Sequence, residues 1–569
     1  MIRKRVAEII HKACDQCMAE GSLPYDAKVD PFIEIPREEG FGDYSTNIAF
    51  LLAPKIRKNP QEIAKILIGH MSFTNVCEKV ELAGKGFINF YVKDAIWQQA
   101  LSDIYSKGLE AFMPDVGKGK KVLMEFVSSN PTGPLHIGHG RGAVVGDVLA
   151  NIMKKTGYNV VKEYYVNDAG KQIETLGEST YARWKELKGE DIVFDDRFYQ
   201  GAYVKDIASV AIKQGLTVPV DKKEAINFFA KLAGDTVMEG IKEDLKNFGV
   251  LFDNYFSETT LHRNGIVEAT LESLKTKDYA YEKDEALWFR TSLFEKDEDR
   301  VLIKSDGEKT YFASDIAYHS DKFNRSFDIL IDIWGSDHHG YIPRMKAGIE
   351  ATGGRKEDLK VLLIQFVTLL ENGKPVGMST RSGQFTTLRE VLDEVGKDVA
   401  RFFFLMRKSD AHLEFDLDLA KKTSSENPVF YVQYANARIE SIFRNAKEDG
   451  IDIDSLKAKS GCQKADNDMP QEEDAIDVGL LTIKEEIDLI KTVLHLYDIL
   501  EGSARSLEPH RITFYLIDLV GKFHSYYNKT RILKNEKNIT VARLLLLYMV
   551  QLVIKYGLDL LGISAPERM

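Results

Sequence analysis

The chain has 569 residues, enough at about 150 per domain for three or four domains. Hydrophobic residues make up 44% and charged residues 29%, with 41 glycines and 15 prolines, a globular composition that excludes disordered and fibrous classes. Lys plus Arg is 76 against 87 acids, a formal net charge of −11; taken as uniform, it argues against a polyanionic partner, because nucleic acid is held by bases that displace counterions.

The chain starts with a basic head, but Glu8, Lys12 and Asp15 interrupt any signal-peptide core. Helical spacing at Val6, Ile9, Ile10 and Ala13, a turn at Gly40–Asp43, a helix at Ile63–Ile68 and strands at Val80–Leu82 and Phe87–Val92 describe an α+β module over residues 1–110. Four cysteines, Cys14, Cys17, Cys77 and Cys462, cannot form a disulfide scaffold in a chain this long. Cys14-x-x-Cys17 also lacks a second pair at zinc-ribbon or zinc-finger spacing.

After a Gly/Lys-rich link at Gly117–Lys121 the pattern changes. Val122–Val127 reads as a buried strand, a Ser/Asn/Pro/Thr/Gly loop follows, and apolar pairs from Val144 to Met153 recur at helical spacing before a strand at Asn159–Tyr165. Strand, helix, strand is a βαβ unit and implies a parallel sheet. Residues 175–285 are polar-amphipathic and read as a helical insertion. Strand patterns return at Leu287–Arg290, Val301–Ile303, Phe327–Trp334 and Val361–Leu370, and beyond about 385 long helices take over. No run approaches the 18 apolar residues of a membrane span; the richest, Leu544–Ile554, contains Gln551 and reads as a buried helix. A cytoplasmic protein with no membrane contact is expected.

Charge is unevenly spread. Lys447–Asp488 holds 13 acids and 5 lysines, a net of −8, so the remaining residues carry only −3. Lys522–Arg543 holds six bases and one acid, interleaved with His524, Tyr526 and Tyr527. Bases among aromatics suit a single-stranded nucleic-acid loop; a solvated helix face is the reading that charge alone favours.

The segment Glu125–Gly142 lies between a strand and the first turn of a helix. His136 and His139 share a helix face, Gly138, Gly140 and Gly142 let a ligand approach the backbone, and a helix N-terminus with two imidazole donors suits a charged phosphorus centre. Gly138-x-Gly140-x-x-Ala143, with Glu163 twenty residues on, also fits a dinucleotide fingerprint and hence an oxidoreductase. Against it, eleven positions separate Val127 from Gly138, whereas a dinucleotide turn puts its first glycine directly after the strand.

His136-Ile-Gly-His139 resembles the first signature of class I aminoacyl-tRNA synthetases. Ser128-Ser-Asn-Pro131, Tyr165-Val-Asn-Asp-Ala-Gly-Lys-Gln172, Gly40–Asn47, Gly86–Phe90, Asn427–Tyr434 and the ending Leu561–Met569 are similar specifically to arginyl-tRNA synthetases, and together they span nearly the whole chain. The second class I signature is altered: Gly377-Met378-Ser379-Thr380-Arg381 stands where the family has two lysines.

The resemblance implies an α/β fold with a doubly wound, Rossmann-like catalytic core at 118–385 carrying the helical insertion, an N-terminal tRNA-contacting α+β domain, and a C-terminal helical stem and anticodon-binding bundle at 386–569. It implies ATP with Mg2+, L-arginine and tRNA(Arg) as partners, a monomer, and no zinc, although Asp337, His338 and His339 allow a metal reading. His136 and His139 are assigned to the α-phosphate and Arg381 to the pyrophosphate; Gly138, Gly140, Gly335, Asp337, Met378 and Ser379 to ATP. Glu125, Asn130, Tyr311 and Asp315 are assigned to arginine, whose planar guanidinium calls for carboxylates; Tyr434, Lys529, Arg531 and Met569 are assigned to tRNA. The reaction implied is arginine activation to the adenylate, dependent on tRNA, then transfer to the terminal ribose. A catalytically silent tRNA-binding paralogue is the alternative that the altered second signature raises.

Overall fold

The computed structural model describes residues 1–23, 29–36, 38, 40–376, 386–458, 460 and 476–569. The first helix, Ile2–Ala19, buries the predicted stripe of Val6, Ile9, Ile10 and Ala13. An antiparallel sheet completes this module, in the order Ile33–Glu34, Tyr44–Thr46, Phe87–Val92, Cys77–Ala83. A helix not anticipated from the sequence, Asp94–Lys107, carries Trp97 onto the C-terminal helix Lys484–Ser506, edge-on to His495 at 5.5 Å. Burial and the nearby Lys522 and Lys491 hold His495 down at about 3, so it packs as a neutral ring. Tyr44 donates to Asp498 (3.1 Å) and Lys491 pairs with Asp43 (2.7 Å) across the same seam.

Five parallel strands make the central sheet, in the order Leu359–Ile364, Ile329–Gly335, Lys121–Glu125, Asn159–Val166, Asn254–Ser257. The chain winds outward from Lys121–Glu125 in both directions. The loops leaving Lys121–Glu125 and Ile329–Gly335 therefore diverge and open a crevice at the carboxyl ends of the strands. Helix Ile137–Lys155 lies on this sheet, and Gly146 permits the close approach: a Cβ there would stand 2.4 Å from the Phe126 ring.

Several expectations are corrected. The first strand of the core ends at Glu125, because Val127 and Ser128 take φ of 68° and 40°, a left-handed conformation no strand contains. The helical insertion comprises Lys171–Leu187, Ala202–Lys213 and Lys222–Asn247, after which Asn254–Ser257 rejoins the sheet as its edge. Four half-buried residues carry no apolar run, so periodicity could not mark them. Val361–Leu370 is two strands in two sheets, Leu359–Ile364 and Val367–Glu371, broken where the Gln365 carbonyl accepts from Arg141 (2.8 Å). Val367–Glu371 pairs in parallel with Leu413–Asp416, a strand lying past 385 where only helices were expected.

Helices Pro428–Glu448, Lys484–Ser506, His510–Lys529 and Lys537–Leu561 pack as a bundle. The last of these, with 25 residues, is long and apolar enough to cross a membrane, which the run Leu544–Ile554 understated; 78% of its apolar window is nevertheless buried against the rest of the protein. Gln551 within it donates to Glu440 (2.9 Å).

Gly146→Ala is expected to lower stability by about 1–3 kcal/mol through overpacking against Phe126. Chemical denaturation reads this, and an unchanged midpoint would show that the helix can step away from the sheet.

Candidate active site

The crevice forms a cavity of about 1020 Å³. Its walls are the loop after Glu125, the start of helix Ile137–Lys155, Tyr199 and Tyr203 of the insertion, helix Tyr311–Asn324 and the turn after Gly335. Tyr203 holds the insertion to the loop, its hydroxyl donating to the Thr132 carbonyl at 2.5 Å.

Two histidines line the cavity. His136 is the helix N-cap, its Nδ1 accepting from the backbone N–H of Gly138 (3.1 Å) and His139 (3.4 Å). The Nδ1 of His139 accepts from the backbone N–H of His136 (3.3 Å). The rings stack with centroids 3.7 Å apart. An accepting Nδ1 places the proton of a neutral ring on Nε2. Burial lowers both groups, His139 to about 3 with His136 as a second cause, so both rings are neutral at pH 7. Two neutral N–H donors thus sit at a helix N-terminus, where backbone amides and dipole favour an anion.

The same cavity also holds acids. Glu125 accepts from Lys322 Nζ (2.5 Å) and from the Ser128 hydroxyl (2.8 Å). Lys322 is wholly buried and also donates to Asp332 (2.9 Å), whose second oxygen meets His319 Nε2 at 2.7 Å. Burial alone would raise Asp332, but Lys322 and His319 hold it far below the usual carboxylate range. Asp315 differs. It accepts the Tyr341 hydroxyl (2.5 Å), no Lys or Arg pairs with it among the described residues, and burial pushes it up to about 6. With Tyr165, Tyr318 and Tyr341 around it, Asp315 is a carboxyl that a cationic ligand would complete.

The structure brings Glu125, Asn130, His136, Gly138, His139, Tyr311, Asp315, Gly335 and Asp337 to this one cavity. Asn130 donates to Gln172 (2.6 Å), and Tyr311 stands 57% exposed at the mouth. Gly140 is not among the lining residues. It faces the far side of the helix, where a Cβ would meet Leu388 at 2.7 Å, and Gly142 faces the cavity instead. Met378, Ser379 and Arg381 lie outside the described residues, as do Cys462 and much of the acidic stretch. Among the described residues, no group of three His, Cys, Asp or Glu could hold a metal, and no Lys or Arg lines the cavity. Cys14, Cys17 and Cys77 are buried.

Glu163, the acid of the dinucleotide fingerprint, is fully buried. Arg325 grips both its oxygens (2.6 and 2.8 Å), and Tyr318 and Asn254 donate to them as well, which leaves nothing for a ribose. That arrangement removes the main support for the oxidoreductase reading. Residues missed from the sequence are Lys322, Tyr341 and Gln172. Asp315, His319 and Lys322 at i, i+4, i+7 lie on one helix face, a signal that could have found the lysine.

The residues assigned to tRNA lie away from the cavity. Tyr434, 42% exposed on Pro428–Glu448, shares Arg438 with Tyr527, the guanidinium standing 4.7 and 5.0 Å from the two rings. Lys529 pairs with Glu485 (3.1 Å), the Arg531 carbonyl accepts from Arg543 (2.8 Å), and Met569 is exposed at the chain end. Tyr526 belongs to the bundle core, donating to Glu486 (3.1 Å).

Three family models match the chain: "Arginyl tRNA synthetase N terminal domain" over residues 1–92, "tRNA synthetases class I (R), catalytic domain" over 101–409, and "DALR anticodon binding domain" over 432–569. The chain is 48% identical to the arginine–tRNA ligase of Geobacter sp. (strain M21) and 47% identical to that of Citrifermentans bemidjiense, each over 100% of both chains. In fold it is similar to Thermus thermophilus arginyl-tRNA synthetase, with a TM-score of 0.75 at 22% identity, covering 100% of both chains.

A cationic ligand seated beside Asp315 is expected to lose affinity as pH falls through about 6, because the carboxyl is ionised above that value and neutral below it. Titration of ligand binding from pH 8 to 5 checks this, and Asp315→Asn should bind weakly with the pH dependence gone.

Proposed function

The chain belongs to the class I arginyl-tRNA synthetases, and from that premise we propose how its cavity carries out the ligase reaction. The protein is an arginine–tRNA ligase that uses ATP to join arginine to tRNA(Arg). The observation that carries the assignment of roles is one cavity lined both by a cation-seeking carboxyl and by a pair of neutral imidazole donors at a helix N-terminus.

Asp315 takes the guanidinium of arginine, with Tyr311 at the mouth and Glu125 held in place behind by Lys322. Asn130, steadied by Gln172, receives the amino acid's backbone end. The carboxylate of arginine then faces the α-phosphate of ATP, attacks it in line, and expels pyrophosphate. His136 and His139 donate to the oxygens on which negative charge accumulates. Because both are neutral and hydrogen-bonded at Nδ1, they supply oriented dipoles, and no proton needs to leave them. Gly138, Gly140, Gly335 and Asp337, with Met378 and Ser379, form the ATP site; Gly140 serves it through helix packing.

Arg381, in the altered second signature, meets the pyrophosphate together with Mg2+. Transfer to the terminal ribose of tRNA needs no enzyme nucleophile, so positioning dominates both steps. The N-terminal domain, residues 1–110, contacts the outer corner of tRNA. The bundle within 386–569 grips the anticodon arm through Tyr434, Lys529, Arg531 and Met569, activation of arginine waits for tRNA, and the enzyme works as a cytoplasmic monomer.

The test is arginine-dependent exchange of pyrophosphate into ATP, with and without tRNA(Arg). Exchange should appear with tRNA; none in either condition would favour the silent paralogue. His139→Ala should cut exchange by about 10²–10³-fold, the usual cost of one oriented transition-state donor, while tRNA affinity stays unchanged. Arg381→Ala should lower exchange well below Arg381→Lys, and equal activity of the two would move the pyrophosphate role elsewhere.

A further inference from the structure

Arg401, on the short helix Lys397–Phe404, is fully buried, and its guanidinium joins three parts of the molecule. Nη2 donates to Asp147 of the histidine helix (2.5 Å), Nη1 to the Phe248 carbonyl at the end of the insertion (3.1 Å), and Nε to the Leu561 carbonyl at the end of the bundle's last helix (2.6 Å). Both carbonyls belong to helix C-termini, whose dipoles favour a cation. Gly562 makes room, since a Cβ there would stand 2.5 Å from Nη2. A second bond runs parallel to this one, from Asn151 of the histidine helix to the Leu560 carbonyl (3.1 Å).

Three residues before Arg401, on the same short helix, Asp398 accepts from the Gln433 amide (3.1 Å) and from both the backbone N–H and the hydroxyl of Ser564. Gln433 is the chain neighbour of Tyr434. One rigid two-turn helix therefore touches the proposed tRNA-binding helix at one point and the histidine helix at another. From Asp147 to His139 is eight helical residues, about 12 Å of axis.

We propose that Asp398 and Arg401 are positioning residues that set the placement of the His136–His139 pair according to how the bundle holds tRNA. The inference rests on the proposed roles of the histidine pair and of Tyr434. Neither residue touches substrate. A displacement of Pro428–Glu448 on binding the anticodon arm reaches Asp147 through hydrogen-bonded side chains and a stiff helix, with no loop in the path.

Arg401→Lys keeps the charge but loses the three-way fork, and Asp398→Asn keeps the size. Each is assayed for arginylation of full-length tRNA(Arg) and of an acceptor-stem minihelix lacking the anticodon arm. The wild type should prefer the full tRNA. Both variants should lose about tenfold of that preference, an ordinary coupling between two sites, through kcat on the full tRNA, while minihelix kcat/KM, tRNA affinity and KM for ATP hold within about twofold. A wild type without preference, variants that keep it, or an equal fall on both RNAs overturns the proposal, the last because a merely structural role predicts it. His139→Ala serves as control: if it keeps full activity on both RNAs, the phosphate role of the histidines has failed, independently of the coupling.

Discussion

A guanidinium taken wholly out of water must find all its partners inside the protein, and leaving one unmatched costs several kcal/mol. Arg401 meets that requirement only where the histidine helix, the end of the insertion and the last helix of the bundle converge. The constraint works in reverse too. With Asp147 shared between Arg401 and Lys162, neither the bundle nor the insertion can shift relative to the histidine helix without stranding a buried charge. Nearer the cavity Arg141 is buried as well, its two Nη atoms donating to the carbonyls of Gln365, Ala411 and Lys408 while its Nε is left without a partner among the described residues. The histidine pair is held by charge pairs on the buried side of its helix, which frees the N-terminal turn for a ligand.

Within the cavity, charge is arranged by the same logic. Glu125 on the cavity wall has a basic partner in Lys322, as do Asp332 and Glu163 behind it, whereas Asp315 has no Lys or Arg partner among the described residues. A buried carboxyl with no base beside it favours a positive charge. The two histidines of the same cavity are neutral donors.

Much of this was legible in the sequence where local chemistry speaks for itself. His136-Ile-Gly-His139 at a helix start, the strand before it and the alternation that follows required a parallel sheet with a ligand crevice at its carboxyl end. Glu125, Asn130, Tyr311 and Asp315 do converge on one cavity. What stayed hidden depends on long-range pairing. Lys322 looks like any exposed helix lysine until the strand bearing Asp332 is laid beside it. Asn254–Ser257 is too short to announce itself, and the break at Gln365 exists because Arg141 reaches its carbonyl from more than two hundred residues away. Gly140 misled because glycines at a helix start serve packing as well as ligands, and sequence spacing does not say which face is which.

The acidic and basic stretches were separate in sequence, but their ends meet in the fold. Lys529 and Arg543 are paired with Glu485 and Glu486, and Lys522 with Asp518. Half of the six bases in Lys522–Arg543 therefore already have an internal counterion. When such a surface takes up a polyanion, fewer mobile cations are set free from the phosphates, because each full neutralisation is what adds about 0.7–0.9 to the slope of log K against log salt. A polyanion bound over Lys522–Arg543 would therefore show a shallower salt dependence than six unpaired bases give.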